Sequence, residues 1–153
     1  MATLRLKIPP VVVLLGAATA MWLLMRATPE LRFALPGKTV IAFGLLMAGI
    51  VVAGLGVATF RRAKTTVNPR QPQNTSTLVT AGVYRVTRNP MYLGMLLVLI
   101  AWGALLAHGP ALIVLPLFVL YMNRFQIAPE EAVLTQMFGH IFTEYMSHVR
   151  RWL

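Results

Sequence analysis

Cysteine is absent from this 153-residue chain, and it has only four acidic residues against fourteen lysines and arginines. Without cysteine, the protein has no disulfide, no thiolate metal site and no cysteine nucleophile. Charged residues make up 12% of the chain, whereas soluble domains contain about 25%. Because 58% of the residues are hydrophobic, a water-soluble fold of this size would have too little polar surface to cover it. The composition therefore predicts an integral membrane protein that lies in a lipid bilayer.

The same composition argues against nucleic acid and metal ions as partners. The net charge of +10 is spread between apolar runs and forms no separate basic patch interleaved with aromatic residues. Orientation of the chain in a membrane explains these charges better than nucleic-acid binding does. His108, His140 and His148 have no spacing typical of a metal site, and we expect them at the surface.

Four apolar runs predict an all-α integral membrane fold with four transmembrane helices. Residues 8–25 and 40–60 form runs of 18 and 21 residues without a charge, and a spanning helix needs about 20. The runs 91–107 and 111–125 are shorter and reach full length with flanking residues. Gly109-Pro110 permits only a tight turn between them, which indicates a helical hairpin. The expected single membrane domain has spans at 8–26, 39–60, 90–107 and 110–125, with a cytoplasmic loop at 61–89.

The distribution of basic residues predicts which side each loop occupies. Two precede the first run, six lie in the second loop and three follow the start of the C-terminal segment, whereas the first loop holds three and the hairpin turn none. Eleven of the fourteen therefore lie on one side if both termini are cytoplasmic. A signal peptide is the alternative interpretation of the first run, but no small-residue cleavage site follows Met25.

The end of the chain predicts an amphipathic cytoplasmic helix over residues 129–150. Pro129 suits the first turn of a helix, and the two glutamates after it suit its positive end. Apolar residues then recur at spacings of three and four, which is typical of one buried stripe. The stripe contains Leu134, Met137, Phe138, Ile141, Tyr145 and Val149. Gly139 is a candidate interruption of this helix.

Two of the four acidic residues, Glu130 and Glu131, stand next to each other shortly after Arg124. Solvated carboxylates that stabilise a helix N-terminus are one interpretation. Carboxylates that receive an amine or a ribose diol of a ligand are the other, and the scarcity of acid in this chain raises it. Arg124 likewise either extends to the membrane interface or grips a carboxylate or phosphate.

The stretch GVYRVTRNPMYLG, residues 82–94, carries the other candidates. Tyr84 and Tyr92 are either aromatic residues of the membrane interface or partners for a ligand ring or cation. Arg88, like Arg124, either extends to the membrane interface or grips a carboxylate or phosphate. Asn89-Pro90 marks a helix boundary, and the start of the third span leaves backbone N–H groups free for a ligand.

Taken together, these residues resemble the isoprenylcysteine carboxyl methyltransferase family, part of a wider group of integral membrane methyltransferases that includes the phospholipid N-methyltransferases. The resemblance covers residues 78–152, about half of the chain. It is carried by an ordered set of residues. The set is Tyr84, Arg88-Asn89-Pro90-Met91-Tyr92, Gly94, Glu130-Glu131, Leu134, Phe138-Gly139, Tyr145 and Val149.

The resemblance implies S-adenosylmethionine as cofactor and a lipophilic methyl acceptor that enters from the bilayer. The cofactor site would lie between the hairpin and the C-terminal helix on the cytoplasmic side. Its implied lining is Leu78, Val79, Tyr84, Asn89, Pro90, Met91, Tyr92, Glu130 and Glu131. The resemblance implies substrate contacts for Arg88 and Arg124, and catalytic roles for Arg124 and Glu131.

Two departures from the family pattern bear on the acceptor. Asn89 stands where the family has histidine, and asparagine cannot titrate near neutral pH. Gln126 stands where the prenylcysteine enzymes are expected to carry arginine, and the nearest arginine, Arg124, lies six residues before Glu130. The second departure weakens the assignment of a prenylcysteine substrate more than it weakens that of the cofactor.

The expected function is therefore methyl transfer at the cytoplasmic membrane face, with carboxyl O-methylation of an isoprenylcysteine-like substrate first. Alternatives are N-methylation of a phospholipid or small amine, and a membrane scaffold without catalytic activity. A channel or transporter fits less well, because no charged residue lies deep within a span. The pattern makes no prediction of oligomeric state.

Overall fold

The computed structural model describes residues 8–62 and 78–153, and these residues are almost entirely helical. Six α-helices occur in the described segments. They are α1 Pro10–Ala27, α2 Lys38–Arg62, α3 Pro90–Leu106, α4 Val114–Met122, α5 Ala128–Phe138 and α6 His140–His148. Short 3-10 turns lie at Pro29–Leu31, Gly82–Arg85 and Pro110–Ile113. Part of the predicted cytoplasmic loop, residues 63–77, lies outside the described residues.

Three helical stretches are long and apolar enough to cross a membrane: α1, α2 and the run Pro110–Phe138. The first two lie close to the predicted spans at 8–26 and 39–60. The third predicted span corresponds to α3, which is apolar but has only 17 residues. The described residues are thus all-helical, with three long apolar helices that are consistent with a membrane protein, and the crossing of the membrane by four helices stays a prediction.

The fourth apolar run does not stop near residue 125. It continues as a π-helical turn, Asn123–Ile127, directly into α5. Pro129 accounts for this turn, because its ring would clash with the carbonyl of Phe125 and it has no N–H to donate there. A π turn widens the helix by one residue, and the N–H of Ala128 donates to the carbonyl of Asn123.

The helix predicted over 129–150 is observed as two helices, α5 and α6, separated at Gly139. Gly139 has φ +52°, a conformation that glycine adopts without a steric penalty. The break also divides the predicted apolar stripe. Ile141 is 64% exposed, whereas its neighbour Phe142 is 3% exposed. A single 3.6-residue periodicity cannot continue through a residue that redirects the backbone.

Helices α2 and α3 cross at two glycines. A Cβ atom built on Gly94 would lie 2.6 Å from the carbonyl oxygen of Gly49, and one built on Gly49 would lie 2.8 Å from the carbonyl oxygen of Gly94. Small residues let helix backbones approach in this way within membranes. Further along the interface, Pro90 packs on Gly56. These contacts hold the start of α3 against α2.

The hairpin turn is fixed to the first loop by His108, which is fully buried. Its Nε2 lies 2.8 Å from the carbonyl oxygen of Thr28, and its Nδ1 accepts the backbone N–H of Ala111 at 3.2 Å. An isolated antiparallel bridge joins the same residue to Arg32. The expectation that His108 is a surface residue is therefore wrong, because both ring nitrogens have protein partners.

Candidate functional site

The starts of α3 and α5 meet in a polar cluster at one end of the helices. Tyr92, the third residue of α3, is buried, and its hydroxyl donates a hydrogen bond to Oε1 of Glu130 at 2.5 Å. Pro90 begins α3 and packs on α2, which fixes the position of this tyrosine. Glu130 belongs to the first turn of α5, directly after the π turn. Two regions about forty residues apart in the sequence thus contribute one contact pair.

Glu131, the next residue, is engaged by two arginines. The guanidinium of Arg151 makes a two-pronged contact, with Nε 3.0 Å from Oε1 and Nη2 2.6 Å from Oε2. Nη2 of Arg88 lies 3.3 Å from Oε1. The side chains of Glu131 and Arg88 are only 14% and 13% exposed. The interpretation of the two glutamates as solvated carboxylates at a helix N-terminus does not hold for Glu131, because Glu131 is largely buried and ion-paired.

Arg88 has hydrogen-bonding capacity that the described residues do not use. Its Nε and Nη1 are buried, and neither has an acceptor among those residues. A buried donor without an acceptor costs about 1–3 kcal/mol, and more when it is charged. The arrangement therefore leaves two nitrogens whose N–H groups suit the oxygen atoms of an anionic ligand.

The last residues of the chain close one side of the cluster through backbone contacts. The N–H of Arg88 donates to the carbonyl of Arg150 at 3.0 Å. The carbonyl of Arg151 accepts bonds from the Thr87 hydroxyl at 3.1 Å and from the side-chain amide of Asn89 at 3.0 Å. The side-chain amide of Asn89 thus holds the C-terminal segment.

A further pair of bonds ties the π turn to the C-terminal segment and to the residues just before α1. The indole N–H of Trp152 donates to the side-chain oxygen of Asn123 at 3.0 Å. The buried amide of Gln126 donates to the carbonyl of Ile8 at 2.7 Å. The side-chain amide nitrogen of Gln126 therefore joins the π turn to the residues just before α1.

Tyr84 lies in the 3-10 turn before α3 and is buried. Its ring meets that of Phe60 edge to face at 5.3 Å, and its carbonyl accepts the hydroxyl of Tyr145 at 2.6 Å. Burial raises the pKa of Tyr145 to about 12, although the nearby Arg88 opposes the shift. Burial, and then the proximity of Tyr145, also raise the pKa of Tyr84 well above its usual value. Both phenols are therefore neutral near pH 7.

The other predicted site residues differ in how they relate to this cluster. Val79 is buried and Leu78 half-buried at the start of the second described segment, and Met91 is half-buried beside Gly56. Arg124 is exposed on the π turn, and no hydrogen bond or ion pair joins it to the other described residues of the cluster. The cluster thus unites Arg88, Tyr92 and both glutamates without Arg124.

Sequence reasoning missed Thr87, Arg151 and Trp152. Thr87 and Trp152 act on the cluster through hydrogen bonds with backbone and amide groups. Neither hydropathy nor residue spacing predicts such bonds. Arg151 carried one usable signal. It is a positive charge in a chain where two of the four acidic residues are adjacent. Hydrogen bonds from its guanidinium to Glu131 raise the pKa of Arg151, so the ion pair is present across the neutral range.

In the residues that the structure describes, no three histidine, aspartate or glutamate side chains are grouped so that they could hold a metal ion. The cluster itself offers one carboxylate with a tyrosine partner, two guanidinium nitrogens without an acceptor among the described residues, and buried aromatic rings.

Comparison with known proteins places these residues in a family. A family model described as phospholipid methyltransferase matches residues 38–141. Two rice proteins, from the indica and japonica subspecies of Oryza sativa, are named probable protein-S-isoprenylcysteine O-methyltransferase. Each is 33% identical over 115 residues, which cover 72% of this chain and 59% of the rice protein. An uncharacterized protein of Haemophilus influenzae is 44% identical over 63 residues, 41% of this chain and all of that protein. No solved structure matches.

Proposed function

The chain belongs to the phospholipid methyltransferase family, and we propose that it transfers a methyl group from S-adenosylmethionine to a lipophilic acceptor at the membrane face where α3 begins. The observation that carries this proposal is the polar cluster. Among the described residues, Glu130 lacks an arginine partner and two buried nitrogens of Arg88 lack an acceptor, while Tyr92 orients Glu130. A carboxylate and free guanidinium donors match the opposite charges of a zwitterionic ligand.

The residues of the cluster fit the polar groups of S-adenosylmethionine, which carries an amino group, a carboxylate and a ribose diol. Glu130 offers an acceptor for the amino group or the hydroxyls. The free N–H groups of Arg88 offer charged donors for single hydrogen bonds to a carboxylate, either that of the cofactor or that of the acceptor. The aromatic rings of Tyr84 and Tyr92 offer apolar walls for an adenine ring. Leu78, Val79, Pro90 and Met91 are proposed as further lining.

The sulfonium of the cofactor supplies an already activated methyl group. The protein must then hold donor and acceptor in line and exclude water. A carboxylate acceptor is ionised near neutral pH and needs no base. An amine acceptor arrives protonated and needs one. The oxygens of Glu131 are already bonded to two guanidinium groups, so this residue would have to break an ion pair to take a proton.

We rank carboxyl O-methylation before N-methylation because a carboxylate acceptor needs no base, and the names of the two rice relatives support the same choice. We therefore propose an isoprenylcysteine-like carboxylate as the first substrate class. Arg124, exposed on the π turn, is proposed as the cation that meets the acceptor from the membrane side. The chain spans 59% of the length of the rice relatives, so an isoprenylcysteine substrate for this chain is a proposal.

N-methylation of a phospholipid amine is the second candidate, and the description of the matched family model favours it. Here Glu130 would act as the base, since it is the carboxylate without an arginine partner among the described residues. We also infer that both termini and the cluster lie on the cytoplasmic side, in accord with the distribution of basic residues.

The test is calorimetric titration of the detergent-purified protein with S-adenosylhomocysteine, followed by methyl-transfer assays. Glu130→Gln should weaken binding at least about tenfold, the equivalent of 1.4 kcal/mol. Glu144→Gln is the matched control, because the side chain of this glutamate on α6 is 61% exposed and its ion-pair partner is His140, outside the cluster. Equal affinities of the two variants would remove the role proposed for Glu130. Folded wild-type protein without affinity would leave the non-catalytic scaffold as the better account.

The acceptor is then identified with radiolabelled S-adenosylmethionine and two probes in separate reactions. A farnesylcysteine analogue offers a carboxylate, and vesicles of phosphatidylethanolamine offer an amine. Base-labile product from the first probe supports O-methylation, whereas base-stable product from the second supports N-methylation. Arg124→Ala should lower turnover of the successful probe and leave affinity for S-adenosylhomocysteine unchanged.

A further inference from the structure

We infer that Arg151 is a positioning residue for the proposed cofactor site, where it holds Glu131 so that two nitrogens of Arg88 without an acceptor among the described residues stay free for a ligand. The inference rests on the proposed function and concerns the same site. It assigns a role to a residue near the end of the chain that carries no motif.

The geometry of the two ion pairs is unequal. Arg151 contacts both oxygens of Glu131, with the shortest separation at 2.6 Å. Arg88 contacts one of them through a single nitrogen at 3.3 Å. A guanidinium and a carboxylate pair most favourably through two parallel bonds. Arg151 takes that arrangement, and Arg88 is left with the weaker contact.

This inequality determines what Arg88 can offer a ligand. If Glu131 were released by Arg151, both of its oxygens would become available to the neighbouring guanidinium of Arg88. Nη2 together with either Nε or Nη1 of Arg88 would then pair with both oxygens within the protein. An anionic ligand would have to displace a buried ion pair, and its affinity would fall. The C-terminal arginine thus keeps the anion-binding groups of Arg88 uncommitted.

The contribution of the Arg151 side chain is separable from that of the segment that carries it. Backbone carbonyls of Arg150 and Arg151 and the indole of Trp152 anchor the segment to Thr87, Asn89 and Asn123. Truncation of the Arg151 side chain leaves all of these bonds in place. Its side chain is 40% exposed, so the loss of packing is small. Binding should therefore change more than stability.

The experiment measures the affinity of the full chain for S-adenosylhomocysteine by calorimetry, with thermal unfolding recorded for each variant. Arg151→Ala should bind at least about tenfold more weakly than wild type. Arg150→Ala is the matched control, since that side chain is exposed and only its backbone carbonyl is used. Its affinity should stay within about twofold of wild type.

A double-mutant cycle distinguishes positioning from direct contact. If Arg151 acts only through Glu131, then Arg151→Ala should cause no further loss in a Glu131→Gln background. An equal loss in both backgrounds would mean that Arg151 contacts the ligand itself, which overturns the inference. Arg151→Lys keeps the charge and loses the fork, and it should bind about threefold more weakly than wild type.

The outcomes separate this inference from the proposed function. Absence of binding in folded wild-type protein refutes the function and the inference with it. Binding by wild type and equal binding by Arg151→Ala refutes the inference alone. If Arg151→Ala does not fold, the Arg151→Lys variant decides, since unchanged affinity in it contradicts a requirement for the two-pronged contact.

Discussion

Replacement of Gly94 by alanine should force α2 and α3 apart and disturb the polar cluster at the start of α3. The added Cβ would lie 2.6 Å from the carbonyl oxygen of Gly49 and 2.8 Å from the Cβ of Ala53. Real Cβ atoms essentially never approach other heavy atoms so closely. The carbonyl belongs to the helix backbone and cannot rotate away as a flexible side chain would. The helices themselves must separate, and overpacking of this kind costs about 1–3 kcal/mol.

The same displacement should weaken ligand binding. Tyr92 lies two residues before Gly94 on α3, and its hydroxyl reaches Glu130 at 2.5 Å. A shift of the helix away from α2 lengthens or misaligns that bond, so the carboxylate loses its orienting partner. We expect Gly94→Ala to lower affinity for S-adenosylhomocysteine about tenfold in addition to its effect on stability.

Thermal unfolding in detergent measures the first effect, and the chain supplies a matched control. Gly54 lies in α2, and a Cβ built there meets nothing within 4 Å. Gly54→Ala should therefore be neutral or stabilising by up to about 1 kcal/mol, because alanine has the higher helix propensity. Gly49→Ala should reproduce the loss seen at Gly94, since the same two backbones meet there. A Gly94→Ala protein as stable as Gly54→Ala would refute the close crossing of α2 and α3.

Three further changes test other parts of the structure. Tyr92→Phe removes the hydroxyl that donates to Glu130 and should lower the free energy of unfolding by about 1–2 kcal/mol, with weaker binding of S-adenosylhomocysteine in calorimetry. His108→Ala removes the ring that joins the hairpin turn to the first loop. It should lower the free energy of unfolding by about 2–4 kcal/mol, seen as a lower unfolding temperature, while ligand affinity is unchanged. Because the chain has no cysteine, Gly109→Cys and Ser147→Cys each carry a single thiol; a membrane-impermeant maleimide should label intact cells only at Gly109, and the reverse pattern would contradict cytoplasmic termini.

The helices could be predicted from sequence because their signal is strong and local. Long apolar runs have one stable conformation in a bilayer, where every backbone N–H and carbonyl must be satisfied within the segment. Pro90 and the Gly109-Pro110 pair then mark where α3 begins and where the hairpin turns. The polar candidates Tyr92 and Glu130 were also identifiable, since acid is scarce in this chain and a carboxylate next to membrane spans requires a reason.

The contacts that organise the cluster could not be predicted in this way. The partners of Asn89 and Thr87 are backbone carbonyls, and every residue carries one. The burial of His108 depends on where the first loop passes, which hydropathy does not encode. The division of the C-terminal helix follows from the positive φ of Gly139, and a glycine in a helical pattern is compatible with either continuation or a break.

The two adjacent glutamates acquire different environments from helix geometry alone. Successive residues on an α-helix point about 100° apart, so Glu130 and Glu131 cannot face the same neighbours. Glu131 turns toward Arg88 and Arg151, and its charge is balanced within the protein. Glu130 turns toward Tyr92, which donates a hydrogen bond and supplies no positive charge. A carboxylate held by a neutral donor at the membrane face remains available to a cationic or hydroxyl-bearing ligand. This asymmetry is the physical reason why we propose that Glu130 receives the amino or ribose groups of S-adenosylmethionine and that Glu131 belongs to the framework that holds Arg88.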